Sequence, residues 1–297
     1  KVVSYFLPSI CSRASRASAT SAGPLTSRLM TECLERAVRR ENIPVLDGLM
    51  AVSVIKNGGD MRIFYGYSGS GRTSEFYNLS FEGGAAGEGL NGGAIVFASA
   101  SGGGFAKNCV FRNCSAGVSG GATCALTAYD CLYTNCTATS NGGGAYGYAT
   151  NDTSGHKTNF FENCTFVGCS ASSGGGLFGT DLRWITGCTF TNNTSVGNGG
   201  AVYVYNVQSV SNSMFACNKA TGSGVGGFYL ENLGGTFADC VFDSNTNSPS
   251  AAKGSHLCRG LNVRNCTFAG YGDVLARNLE NCTFSGCVFP YDSTGRG

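Results

Sequence analysis

Asn163-Cys164-Thr165-Phe166, read as NCTF, is the phrase on which the fold turns, because its variants recur down the chain. They are NCVF at 108–111, DCLY at 130–133, GCTF at 187–190, NSMF at 212–215, DCVF at 239–242 and NCTF again at 265–268 and 281–284. The second position defines a column of Cys109, Cys131, Cys164, Cys188, Cys240, Cys266 and Cys282, interrupted once by Ser213. Successive members stand 22, 33, 24, 25, 27, 26 and 16 residues apart by position. A fixed period in the range of ~20–50 residues marks a solenoid or array, and here one repeat is about 25 residues.

Two residues after the column stands an aromatic: Phe111, Tyr133, Phe166, Phe190, Phe215, Phe242, Phe268 and Phe284. Side chains alternate along a strand, so the cysteine and this aromatic share a face and both are expected to point inward. Three residues before the column lies a small or apolar residue, from Ala106 and Ala128 to Val263 and Leu279. Five residues after it come Cys114, Cys136, Cys169, Asn193, Asn218, Asn245 and Cys287, an odd offset that requires a bend just past the aromatic. Stacked at a bend, these residues are expected to form an Asn ladder or a sulfur column. Paired glycines such as Gly120-Gly121 and Gly199-Gly200 follow, where backbones approach closely.

Each repeat thus holds about three short strands, too little to bury a face alone. Stacking repeats as coils solves this, each strand pairing in parallel with its equivalent one coil on at ~4.8 Å. The expected fold is all-β, a right-handed single-stranded parallel β-helix with a short N-terminal capping helix; the hand follows from the preference of parallel crossovers. Residues 1–50 are expected to be an arm, Lys1–Ile10, and a cap, the helix Thr31–Arg40 with Leu34, Ala37 and Val38 on one stripe. Residues 51–297 are expected to form irregular coils.

Composition narrows the function. Charged residues are 13% of the chain and the net charge is +2, which excludes a nucleic-acid footprint. No stretch approaches the ~20 apolar residues of a spanning helix. The chain has 16 cysteines, no C-x2-C pair and only two histidines, so no metal or cofactor is expected. Such cysteine usage points to an oxidising compartment, extracellular or at the cell surface, and to pairing of Cys109/Cys114, Cys131/Cys136, Cys164/Cys169 and Cys282/Cys287 within or between coils.

Phe-x-x-Asn at Phe190–Asn193, Phe215–Asn218 and Phe242–Asn245, with Gly-Gly-Ala-Ile/Val at Gly92–Ile95 and Gly199–Val202, resembles the paired repeats of chlamydial polymorphic membrane proteins and related microbial surface β-helices. The resemblance spans about residues 78–290, with Cys often in the Asn place. It implies a pectin-lyase-like β-helix exposed at a cell surface, where family members act in adhesion.

The function expected is therefore a non-catalytic structural or adhesive component of a surface or filamentous assembly. Its partners are expected to be other copies or other subunits, joined through coil ends or the arm, and glycans. A carbohydrate-active enzyme is the rival, but the acids are scattered. Asp181 with Arg183 is the nearest catalytic candidate, and His156 lies in the longest interval between column members. Trp184 is the sole tryptophan, weighed as a sugar platform or as packing. Tyr203 and Tyr205, with Tyr229 one coil later, form the expected binding face. Asn-x-Ser/Thr sites expected to carry sugar are Asn78, Asn151, Asn163, Asn265 and Asn281.

Overall fold

The structure, a computed structural model, describes residues 64–66, 74–97, 104–147, 159–247, 256–270, 272 and 274–287. The chain separates into two units, Lys1–Ala51 and Val52–Gly297, and all described residues belong to the second. The arm, the helix at Thr31–Arg40, Asn151 and His156 lie outside the described residues.

Among the described residues the protein is all β, in three large sheets of 13, 9 and 6 strands whose pairings are parallel. Successive strands visit the sheets in a repeating cycle. Leu126–Tyr129 lies in the first, Leu132–Thr134 in the second and Thr137–Ala138 in the third, and Ala145–Gly147 returns to the first. Each pass stacks in register on the last, so Phe111, Tyr133 and Phe166 are direct neighbours. Large parallel sheets visited in this order are consistent with a β-helix or solenoid.

The corners explain why asparagine precedes the column cysteine. Asn78, Asn108, Asp130, Asn163, Asn212, Asp239, Asn265 and Asn281 all have φ between 49 and 56°. This left-handed conformation is one that Asn and Asp tolerate and other L-residues resist. It turns the chain from the first sheet into the second. A second left-handed corner, at Asn113, Asn135, Asn192, Cys217 and Ser244, falls just before the residues five positions past the column. It supplies the bend that the odd offset demands. The third corner is set by glycine. A Cβ on Gly121, Gly143, Gly175 or Gly200 would run into the carbonyl oxygen of the stacked glycine in the next coil.

The core is a set of columns. Rings from Phe81 through Phe111, Tyr133, Phe166, Phe190, Phe215, Phe242 and Phe268 to Phe284 stack with centroids 4.4–5.2 Å apart and planes within 17°. All from Phe111 to Phe268 are fully buried, and Phe284 is half-buried. Cys109, Cys131, Cys164, Cys188, Cys240 and Cys266 are buried beside them, while Cys282 is half-buried. Ala86, Ala116, Ala138, Ala171 and Ala220 line the inside of the third sheet. Burying one such phenylalanine fully contributes ~1.5–3 kcal/mol.

The expected cysteine pairing is not found: the thirteen cysteines whose side chains are described form no disulfide with one another. In-register side chains run parallel, which holds neighbouring Cβ atoms near the strand spacing of ~4.8 Å rather than the ~3.8 Å a disulfide needs. The thiols are turned instead to the backbone. Cys131 Sγ donates to the Tyr129 carbonyl at 3.0 Å and accepts from the Cys109 amide at 3.5 Å. Ser213 does the same work where the cysteine is missing, donating to the Ser211 carbonyl at 2.8 Å and accepting from the Cys188 amide at 3.1 Å. The column selects a small side chain that is both donor and acceptor, and behaves as a small apolar filler.

Candidate functional site

Because Ala106, Ala128, Phe161 and Ile185 point into the core, the residues on either side of each must point out. In the first sheet those flanking positions form two outward columns. One runs Glu75, Phe105, Thr127, then Trp184 and Ser209; the other runs Tyr77, Lys107, Tyr129, Glu162 and Thr186. Phe160, preceding Phe161, continues the first column between Thr127 and Trp184.

Aromatic residues of the two columns form a continuous ridge over five coils, the first four alternating between columns and meeting edge to face. Tyr77 packs on Phe105 at 5.4 Å, Phe105 on Tyr129 at 5.9 Å and Tyr129 on Phe160 at 5.0 Å, each nearly perpendicular. Phe160 meets Trp184 at 4.4 Å with a 34° tilt. Tyr77 is 42% exposed, and the other four are half-buried, mainly against one another. Each contact contributes ~0.5–1.5 kcal/mol beyond its buried area, so the rings are held in place before any ligand arrives.

The ridge is edged with polar groups, Glu75, Lys107, Glu162 and Thr186, with charges of both signs, while Thr127 is buried. Glu75 accepts a hydrogen bond from the Tyr77 hydroxyl at 3.0 Å, and Arg183 lies over the Trp184 ring, 4.5 Å from its centroid. Desolvation and then the Glu75 hydrogen bond hold the Tyr77 phenol above its ordinary value. Desolvation and the Glu162 charge do the same at Tyr129. Both hydroxyls are donors at neutral pH.

The three tyrosines of the expected binding face lie together, Tyr203 meeting Tyr205 at 5.6 Å and Tyr229 at 5.1 Å. Tyr205 is 41% exposed, but Tyr229 is buried against Val225, with Tyr203 packed on the pair. Tyr203 also donates to Glu231 at 2.7 Å, and burial with that bond raises its pKa. The segment ending at Val225 covers this part of the sheet, which strand alternation alone does not reveal. Of the three, Tyr205 is exposed, Tyr203 half-buried and Tyr229 buried.

Asp181 accepts from Asn206 at 2.9 Å, Asn206 accepts from Asn232 at 3.0 Å, and Arg183 is engaged with Trp184. Among the described residues no three His, Cys, Asp or Glu side chains converge as metal ligands.

The turn column is an internal ladder. Cys114, Cys136, Cys169, Asn193, Asn218 and Asn245 are fully buried and Cys287 is half-buried. Asn78, Asn163, Asn265 and Asn281 are exposed at the first corner. There Asn265 donates to Asp239 at 3.1 Å and Asn281 to Asn265 at 3.5 Å.

The ridge was legible in the sequence through alternation around the small residue three before the cysteine. Its first member was hidden because Asn78-Leu79-Ser80-Phe81 carries leucine in the cysteine place. No protein-family model, curated protein or solved structure matches this chain, so its function has to be read from these faces.

Proposed function

We propose that the chain is a right-handed single-stranded parallel β-helix that serves as a non-catalytic structural or adhesive component of an extracellular, cell-surface or filamentous assembly. The hand rests on the strong preference of parallel crossovers. The observation that carries the attachment reading is the aromatic ridge Tyr77–Phe105–Tyr129–Phe160–Trp184, pre-packed and facing outward. A stack of in-register coils holds such a ridge straight with little entropy left to lose on binding. With the cysteines packed as thiols, disulfides no longer support an oxidising compartment. The extracellular location then rests on the exposed Asn-x-Ser/Thr corners and on the resemblance of the repeats to those of surface adhesins. Joining to further copies or other subunits by strand addition at sheet edges belongs to the same proposal.

The test is retention of beads coated with the full chain on immobilised extracellular matrix proteins and polysaccharides. Retention is expected, and its loss is expected in a Tyr129→Ser/Phe160→Ser variant whose circular dichroism is unchanged. Wild-type beads that no such surface retains would overturn the reading.

A further inference from the structure

We propose that the ridge binds a linear, uncharged polysaccharide lying along the stack axis, with about one pyranose ring per coil. This rests on the attachment reading and names the ligand class of that same face.

The first argument is size. Four strand spacings of ~4.8 Å by the ~7 Å between alternate residues of a strand give a ridge of roughly 130 Å². A specific protein partner buries about 800 Å² on each side. The ridge is severalfold too small for the core of a protein interface, and polar side chains edge it, so a narrow occupant fits it best. The second argument is period. A pyranose in an extended chain advances by a length close to one strand spacing, ~4.8 Å, so successive sugars meet successive aromatics from Tyr77 to Trp184. The third is chemistry. Aromatic faces suit the C–H faces of sugar rings, while the ridge edges offer both acceptors, Glu75 and Glu162, and donors, Lys107 and the Tyr129 hydroxyl. Charges of both signs alternate along the edge, which gives a polyanion or polycation no net field to follow. Beyond Trp184 the outward column continues as Ser209, Thr236, Asn262 and Asn278, so the platform has a defined end.

Trp184 is the sole tryptophan and closes the ridge, so intrinsic fluorescence of the full chain reports occupancy directly. The probes are cello-, xylo- and manno-oligosaccharides of two to eight units, with oligogalacturonate as the charged comparator. Affinity for at least one neutral series is expected to rise with length up to about five units, one per ridge coil, and then to level. Phe160→Ala and Phe105→Ala are each expected to weaken it about two- to tenfold. Met214→Ala, on the outside of the second sheet, is expected to leave it unchanged. No fluorescence or calorimetric response to any neutral series, affinity independent of length, or tighter binding of oligogalacturonate would each overturn the proposal. If ridge variants still abolish bead retention on a protein matrix while no oligosaccharide binds, the glycan falls and the attachment reading stands. If they alter neither, both fall.

Discussion

Asn218 Oδ1 receives two hydrogen bonds from Asn193, one from its side-chain amide and one from its backbone amide, both at 3.0 Å. The pattern repeats one coil on, where Asn218 donates to Asn245 Oδ1 at 2.9 Å from its side chain and 3.1 Å from its backbone. The remaining side-chain proton of each is taken by a core carbonyl, Phe166 for Asn193 and Phe190 for Asn218. With every donor engaged at full burial, this ladder is a satisfied polar network inside the stack.

Removing its middle rung strands partners on both sides. Asn218→Ala leaves the two Asn193 donors and the Phe190 carbonyl without their bonds, and Asn245 Oδ1 with only the backbone amide of residue 218, at ~1–3 kcal/mol for each group left unpaired. A loss of at least about 3 kcal/mol is expected in urea denaturation. A loss below 1 kcal/mol would mean that the ladder contributes little.

Tyr133 is the one phenol in the stacked phenylalanine column, and its hydroxyl lies 3.4 Å from that of Thr123, both buried. Tyr133→Phe alone is expected to cost ~1 kcal/mol or more, by stranding the threonine hydroxyl. Tyr133→Phe combined with Thr123→Val is expected to recover most of that loss. Additive costs in the double-mutant cycle would refute the coupling.

Cys217 is exposed and sits at φ 55°, where its counterparts in other coils are asparagine, glycine or, at Ser244, serine. A side chain other than Asn or Gly pays ~1–2 kcal/mol for this conformation. Cys217→Asn should therefore stabilise the protein by about 1 kcal/mol, read as a rise in thermal midpoint. A fall would show that the thiol makes an interaction worth more than the strain.

Burial pushes the Cys124 thiol up to about 12, above the ~8.5 of an unfolded thiol. Between those values the unfolded chain releases a proton that the native state keeps. Stability from this group is complete below the unfolded value and is lost as pH rises through about 12, at up to ~1.4 kcal/mol per pH unit. Denaturation midpoints measured from pH 7.5 to 10.5 should fall, with a shallower decline in Cys124→Ala. An identical slope in the variant would remove Cys124 as the source.

Asn265 and Asn281 occupy one outward column in adjacent coils, about one strand spacing of ~4.8 Å apart, and the Asn265 amide is already bonded to Asp239. Two branched sugars cannot stand side by side at that distance. Expression in a eukaryotic secretory host followed by glycopeptide mass spectrometry should find no molecule carrying both.

The columns were readable because stacking in register converts a common offset into a common place. Phe111 and Phe268 lie at the same depth for the same reason that each stands two residues past a cysteine. The chemistry of the cysteines was misread, since spacing gives proximity but not the direction of Sγ, and backbone carbonyls two residues upstream outcompete a second sulfur. Tyr229 stands beside Tyr203 as the repeat implies, but its burial was not readable, because alternation says only which side of a sheet a residue takes. Whether another segment covers that side depends on where 222–225 folds. The left-handed corners were present in the letters as Asn and Asp before the cysteine, yet their role as the hinge between sheets emerges only from the backbone angles.

A stack in which each coil touches only the two beside it also sets how such a gene can change. One residue inserted between Cys164 and Phe166 would swing the ring to the wrong side of its strand, and every column through that coil would be broken. A whole duplicated coil would enter the columns with each residue already in its place. The lineage of this protein can therefore lengthen or shorten by copying entire turns, and the reach of the molecule becomes a quantity that heredity adjusts in steps.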